Sequence, residues 1–295
     1  MEEQPLIHNL ALPKPQRSGS DYAFAFSSQR DGHHVAFLCV MDTIGSPSIA
    51  GTGRFVKRFG KKMKALVKKG SLPDMKTFRR TVRETLLAGN RQLMEMNADG
   101  KERVFGFSTC LALIHDDQLV TMKLGDCRTY HLHPQPENTA CPVAVQCMGH
   151  DQNRLHQALE EEQSYVFLKN EMQELSRTLT YFWGVPNQDV AEQVLDQSTI
   201  VTSLAPGDCV LLVTDGVFIP ILRSILDTSN YRLEYDQFYL EPWMLELIRS
   251  NGYLKGDLGA NCRRFLPDLI TTARKYMARK SRYRDDIAAC AVHVE

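Results

Sequence analysis

Apolar positions change their spacing several times along the chain. Tyr22, Phe24 and Phe26 alternate with smaller residues, the period of a strand. His34–Met41 is almost continuously apolar and predicts a second strand, buried on both faces and ended by Asp42. The period then lengthens. Phe55, Phe59, Met63 and Leu66, with Val56 and Val67 beside them, mark one face of a helix. Phe78, Val82, Leu86 and Leu93 mark a second helix, closed by the turn residues Asn97, Asp99 and Gly100. Ser108–His115, Gln118–Leu124 and Cys127–His133 read as three short strands. Asp116-Asp117 and Gly125-Asp126 join them, and joins this short predict an antiparallel meander.

Residues 134–190 form a flap-like region: a Pro-rich loop, an acidic helix around Leu155–Gln163, then irregular sequence up to Trp183-Gly184. Tyr181, Phe182 and Trp183 are its expected anchors in the core. Ser198–Leu204, the turn Ala205-Pro206-Gly207 and Asp208–Thr214 predict a hairpin. Mixed helices fill 217–280, with 228–260 reading as a Tyr- and Leu-rich insertion, and Ile287–Val294 supplies a last strand. Strands come early and late with helices in blocks between them, and no βαβ alternation appears. This order predicts an α+β sandwich of sheets with helices outside. Residues 1–17 read as an N-terminal arm and 18–295 as one domain.

Composition narrows the partners. Thirty-five Lys and Arg balance thirty-five Asp and Glu, so no global field recruits nucleic acid or a membrane. One local exception is Arg54–Lys69, with eight basic residues and no acidic one. Its continuous apolar face favours a helix packed on a sheet with a solvated basic face, over a docking site for an acidic partner or an anionic surface. The first residues are too polar for a signal peptide, and no apolar run approaches a membrane span, so the expected location is the cytoplasm. The eight cysteines show no metal-ligand spacing and sit mostly in apolar runs, as small hydrophobes in a reducing compartment do. His131 and His133 share one strand face with no Cys or Glu at ligand spacing, and read as ordinary strand histidines.

The aspartates carry the chemistry. Asp21 precedes the first strand, Asp42 ends the second, Asp126 sits in a turn, Asp215 follows a buried strand, and Asp285-Asp286 precede the last one. Any one of them is ordinary turn chemistry. Five such sites at strand ends of one sandwich would meet on a rim, where carboxylates repel and a hard divalent cation relieves them.

At these positions the chain resembles the type 2C metal-dependent Ser/Thr protein phosphatases in their compact bacterial-like form, over roughly Ser18 to Val294. The landmarks are Ser18-Gly19-Ser20-Asp21, Val40 to Gly45, Gly106-Phe107-Ser108-Thr109, Leu124-Gly125-Asp126-Cys127-Arg128, His150-Asp151-Gln152, Leu175 to Leu179, Pro206-Gly207-Asp208 through Thr214-Asp215-Gly216, and Asp285-Asp286-Ile287. No single landmark is decisive; their order is the stronger signal. The resemblance implies a four-layer α/β/β/α sandwich of two antiparallel sheets flanked by helices. It also implies hydrolysis of phosphoserine and phosphothreonine on proteins by a metal-activated water. Two Mn²⁺ or Mg²⁺ ions are implied, bridged by Asp42, with Asp215 and Asp285 on the second and the carbonyl of Thr43 as a further ligand. Asp126 corresponds to the ligand of a third ion, Asp21 to a supporting carboxylate and Arg17 to the phosphate clamp.

Three departures stand against that pattern. Thr43 replaces a glycine, Gly45 and Ser46 replace the next two, and Ser20 replaces a glutamate. A β-branched residue cannot copy unusual glycine dihedrals cheaply. A pseudophosphatase, the same fold serving as a binding or regulatory module, is therefore the alternative.

Overall fold

The computed structural model describes residues 7–8, 21–30, 32–44, 52–98, 105–135, 143–161, 174–175, 178–185, 187–219, 266–275 and 286–294. Its strands are β1 (Ile7–His8), β2 (Tyr22–Arg30), β3 (His33–Ile44), β4 (Gly106–His115), β5 (Gln118–Leu124), β6 (Arg128–Pro134), β7 (Val143–Cys147), β8 (Ile200–Ser203), β9 (Cys209–Val213) and β10 (Ala289–His293). Its helices are α1 (Thr52–Lys69), α2 (Met75–Ala98), α3 (Arg154–Glu160) and α4 (Gln188–Gln197), with further helical backbone at 215–219 and 266–275. None of the described helices is long and apolar enough to cross a membrane.

The strands form two antiparallel sheets, ordered β2-β3-β4-β5-β8 and β1-β10-β9-β6-β7. Strict alternation along each strand sorts side chains into layers. On β3, Val35, Phe37, Cys39 and Met41 face α1 and α2, while Ala36, Leu38 and Val40 face the other sheet. On β9, Val210 and Leu212 face inward to that shared layer, and Leu211 and Val213 face the helical segments at 217–219 and 266–273. The result is the expected four layers. The inter-sheet layer is rich in Ala and Cys: Ala25, Ala36, Ala112, Ala288, Cys110, Cys127 and Cys290. Small side chains let the sheets approach closely, and the six described cysteines are free, as the sequence implied.

Helix α1 buries Phe55, Val56, Phe59, Met63 and Val67, each contributing roughly 1.5–3 kcal/mol. All eight of its basic residues are exposed, so the packed-helix reading of Arg54–Lys69 holds. Trp183 is fully buried against Phe55, Phe59 and Phe107, and its Nε1 donates to the Leu86 carbonyl at 2.8 Å. Tyr181, by contrast, is exposed.

Three sequence expectations are corrected. First, β3 does not end at Asp42: the ladder continues through Asp42↔Ser108, Thr43↔Phe107 and Ile44↔Gly106. Second, the strands from Ser108 to His133 are not one meander. β4 and β5 pair, but β6 lies in the other sheet beside β7 and β9. Third, Ser198–Thr214 is not a hairpin. β8 pairs with β5, and β9 pairs with β10 and β6. Both short joins are crossings between sheets. Each is held by groups far away in sequence: Gly125 by Gln152, and Gly207 by a hydrogen bond of 2.7 Å to the Val294 carbonyl. β7 and α4 were not foreseen. α4 begins at Asn187, whose side chain accepts from the amides of Asp189 and Val190. Arg17, Gly45, Ser46, Asp285 and the 228–260 segment lie outside the described residues.

Candidate active site

The crossing at Gly125–Cys127 makes one rim out of two sheets. It leaves β5 at Leu124, which pairs with Thr109, and enters β6 at Arg128, which pairs with Val213. Val213 also pairs with Ala289. The end of β3, the starts of β2, β4, β6 and β10, and the end of β9 therefore share one end of the sandwich.

Each rim aspartate is placed by this register. Tyr22 pairs with Met41, so Asp21 adjoins Asp42. Asp42 pairs with Ser108, and the Ser108 hydroxyl donates to Asp126 Oδ1 at 2.8 Å. On the second sheet, the Thr214 amide donates to the Ala288 carbonyl and the Ala288 amide to Thr214 Oγ1, both at 3.0 Å. That clasp fixes Asp215, at the start of the 215–219 helix, beside residues 286–288. Asp126, Asp215 and Asp286 are buried; Asp21 and Asp42 are half-buried.

Ser108 joins two sequence motifs into one device. Besides donating to Asp126, its oxygen accepts from the backbone amides of Asp126 at 2.8 Å and Cys127 at 2.9 Å. The turn comes so close that a Cβ on Gly125 would stand 2.5 Å from the Ser108 oxygen, and Gly125 has φ +109°. Glycine is required there. The turn is clamped from its other side by Gln152, whose side chain accepts from the Gly125 amide at 2.7 Å and whose own amide donates to the Gly125 carbonyl.

Beneath the rim lies a buried ionic network that the sequence did not announce. Arg128 donates to both oxygens of Asp151, with Nη2–Oδ2 at 2.7 Å, and Lys123 Nζ reaches Asp151 Oδ1 at 3.2 Å. Arg128 also donates to the Tyr130 hydroxyl, and its guanidinium lies 3.9 Å from the Phe218 ring centre. Burial works against ionisation of Asp151, but Arg128 and Lys123 outweigh it and hold the carboxyl below its usual range. Asp126 goes the other way. Burial and the negative charge of Asp151 push it up to about 6, against the Ser108 hydrogen bond and Lys123. Asp151 was within reach of the sequence only as part of the His150-Asp151-Gln152 landmark; nothing in its spacing marked it as the partner of two buried cations.

The donor set at the rim is all carboxylate, and burial with like-charge neighbours makes Asp126 reluctant to ionise by itself. Such a set suits a hard divalent cation with oxygen ligands. Thr43 stands in a paired strand, and among the described residues Asp116 alone combines a side chain with positive φ. A carbonyl at Thr43 is thus offered without glycine geometry. The rim carboxylates are not drawn into a tight trio; among the described residues one trio of ligand-type side chains has its atoms within 4.8 Å of one another, at the opposite end of the first sheet.

No protein-family model matches the chain, and no curated protein matches it. Solved structures do. The serine/threonine phosphatase of S. agalactiae aligns with TM-score 0.63 and 15% identity, over 99% of this chain and 98% of that one. Staphylococcus aureus Stp1 aligns with TM-score 0.63 and 14% identity, over 99% and 94%. The Mycobacterium tuberculosis phosphatase PstP/Ppp aligns with TM-score 0.56 and 16% identity, over 93% and 99%. The resemblance read from the sequence is borne out as a likeness of architecture: this chain has the fold of bacterial serine/threonine phosphatases over nearly its whole length.

Proposed function

We propose that the chain hydrolyses phosphoserine and phosphothreonine monoesters on proteins, at the aspartate rim and with divalent cations. The observation that carries this reading is the meeting of Asp21, Asp42, Asp126 and Asp215 at one end of a sandwich shared with bacterial serine/threonine phosphatases. Asp42, Asp215 and Asp285 would hold two Mn²⁺ or Mg²⁺ ions with the Thr43 carbonyl. Asp126 would serve a third, Asp21 would support Asp42, and Arg17 would clamp the phosphate. Bound ions of this kind supply Lewis acidity and a water acidic enough to attack near neutral pH.

The chain's own residues prepare that site. Ser108 fixes the Asp126 carboxylate and the turn carrying it, so little geometry has to be found on binding. The Arg128–Asp151–Lys123 network stiffens the floor and keeps its cations occupied. Arg128 is fully buried, and therefore positions rather than touches substrate. The exposed basic face of α1 raises the local concentration of phosphorylated protein. A cytoplasmic location follows as part of the same proposal.

The pseudophosphatase reading rests on Thr43, Ser46 and Ser20, which depart from the pattern the chain resembles. The ordinary extended pairing of Thr43 weighs against its strongest argument. The test is release of phosphate from an aryl phosphate and a phosphothreonine peptide in Mn²⁺, Mg²⁺ or excess chelator. Metal-dependent release supports the enzyme; folded protein that releases none at millimolar metal supports the module.

A further inference from the structure

His33, His115 and Asp116 converge at the end of the first sheet opposite the aspartate rim. Val35 pairs with His115 there, seven residues along β4 from Ser108, a separation of roughly 23 Å at strand rise. Asp116 Oδ2 lies 2.7 Å from His33 Nδ1 and 3.2 Å from His115 Nδ1. The far nitrogen of His115, Nε2, is 3.0 Å from the Leu72 carbonyl. A carbonyl only accepts, so Nε2 carries the proton. In the neutral ring Nδ1 then presents a lone pair to a carboxylate oxygen. Two lone pairs facing each other at 3.2 Å require something positive between or upon them.

We propose that these three residues form a second metal site, selective for a borderline divalent cation such as Zn²⁺. Supporting features of such a site are present at His115 and Asp116. The buried His115 donates its other ring N–H to a backbone carbonyl, which fixes tautomer and orientation. Asp116 is oriented by the His34 amide, which donates to Oδ1 at 2.9 Å and leaves Oδ2 for the ion. Ligand atoms of a tetrahedral Zn²⁺ stand roughly 3.4 Å apart; Asp116 lies 2.7 and 3.2 Å from the two histidines, and all three ligand atoms lie within 4.8 Å of one another. Two imidazoles and one carboxylate leave a position open. His33 also lines a cleft of ≈ 210 Å³ with Ser71, Leu72 and Pro73. Nitrogen ligands separate this site from the rim: they suit Zn²⁺, whereas all-oxygen sites suit Mg²⁺ and Mn²⁺.

The test is calorimetric titration of chelator-stripped, full-length protein with Zn²⁺ alone, in the wild type and in an Asp42→Asn/Asp215→Asn background that disables the rim. One equivalent should bind in that background, and millimolar Mg²⁺ should not displace it. His33→Ala and Asp116→Asn should each weaken it at least about tenfold. His33 and Asp116 are partly exposed, so these variants keep the fold, and far-ultraviolet circular dichroism checks it. Zn²⁺ binding that ignores both substitutions, or no binding at all in the rim-disabled background, overturns the proposal.

Discussion

Asp116 and Asp126 are both aspartates in short joins next to β5, at its two ends, and the fold treats them in opposite ways. Asp116 is partly exposed. Burial opposes its ionisation, but His33, the His34 amide and His115 outweigh burial and hold the carboxyl below its usual range. Asp126 is buried near Asp151 and is pushed up to about 6. The first is a carboxylate whose charged form its neighbours favour. The second is a carboxylate whose charge the metal-free protein resists. The residue type is the same; the neighbours decide which carboxylate resists its charge.

The largest test of that contrast removes the charge beneath the rim. Asp151→Ala leaves buried Arg128 and Lys123 without their carboxylate and should cost about 3–5 kcal/mol in chemical denaturation. Because the Asp151 carboxyl is lowered in the folded state, the stability it provides is present above about pH 3.8, its ordinary value, and is lost as pH falls through the folded value. The wild-type and Asp151→Ala curves should therefore converge in acid.

Asp126→Asn should do the reverse. Well below pH 3.8 the Asp126 carboxyl is protonated in both states and costs little. Between there and about 6 the unfolded chain ionises first, so stability falls as pH rises, and above about 6 the full cost persists. In chelator the variant should be more stable than wild type by on the order of 2–3 kcal/mol at pH 7.5, and hardly so at pH 4. Equal gains at both pH values would contradict the assignment.

Ser108→Ala removes a hydroxyl that satisfies three groups of the Gly125–Cys127 turn, for a loss of about 1–3 kcal/mol. Turnover should fall with it, since Asp126 loses its support. At the other end, Asp116→Ala should cost less than about 1 kcal/mol in metal-free protein. Its small contribution should appear above about pH 3.8 and vanish in acid, because the folded carboxyl is lowered. The ordering of the four effects, read from denaturation curves, separates a buried ionic floor from an exposed turn.

Much of this was legible in the sequence, and the misreadings share one cause. β3, α1 and α2 declare themselves by local pattern alone: β3 is a continuous apolar run buried on both faces, and each helix buries one periodic face. The joins at Gly125-Asp126 and Ala205-Pro206-Gly207 carry hairpin chemistry, yet both lead into the opposite sheet. Nothing within either turn says which sheet the next strand will join. That choice is made by Ser108, Gln152 and Val294, all remote from the turns they hold. Asp42 was readable as a candidate but not as a strand residue, because its pairing with Ser108 lies across the sheet. The Asp151 network was hidden for the same reason: an ion pair between residues 128 and 151 leaves no periodic trace.

In the proposed function the rim aspartates work as a catalytic set. The most direct measurement is Mn²⁺-dependent phosphate release from a phosphothreonine peptide by wild type, Asp42→Asn and Asp215→Asn, with folding checked in parallel. The expected result is turnover in the wild type and at least a hundredfold loss in each folded variant. Turnover that survives either substitution would contradict it.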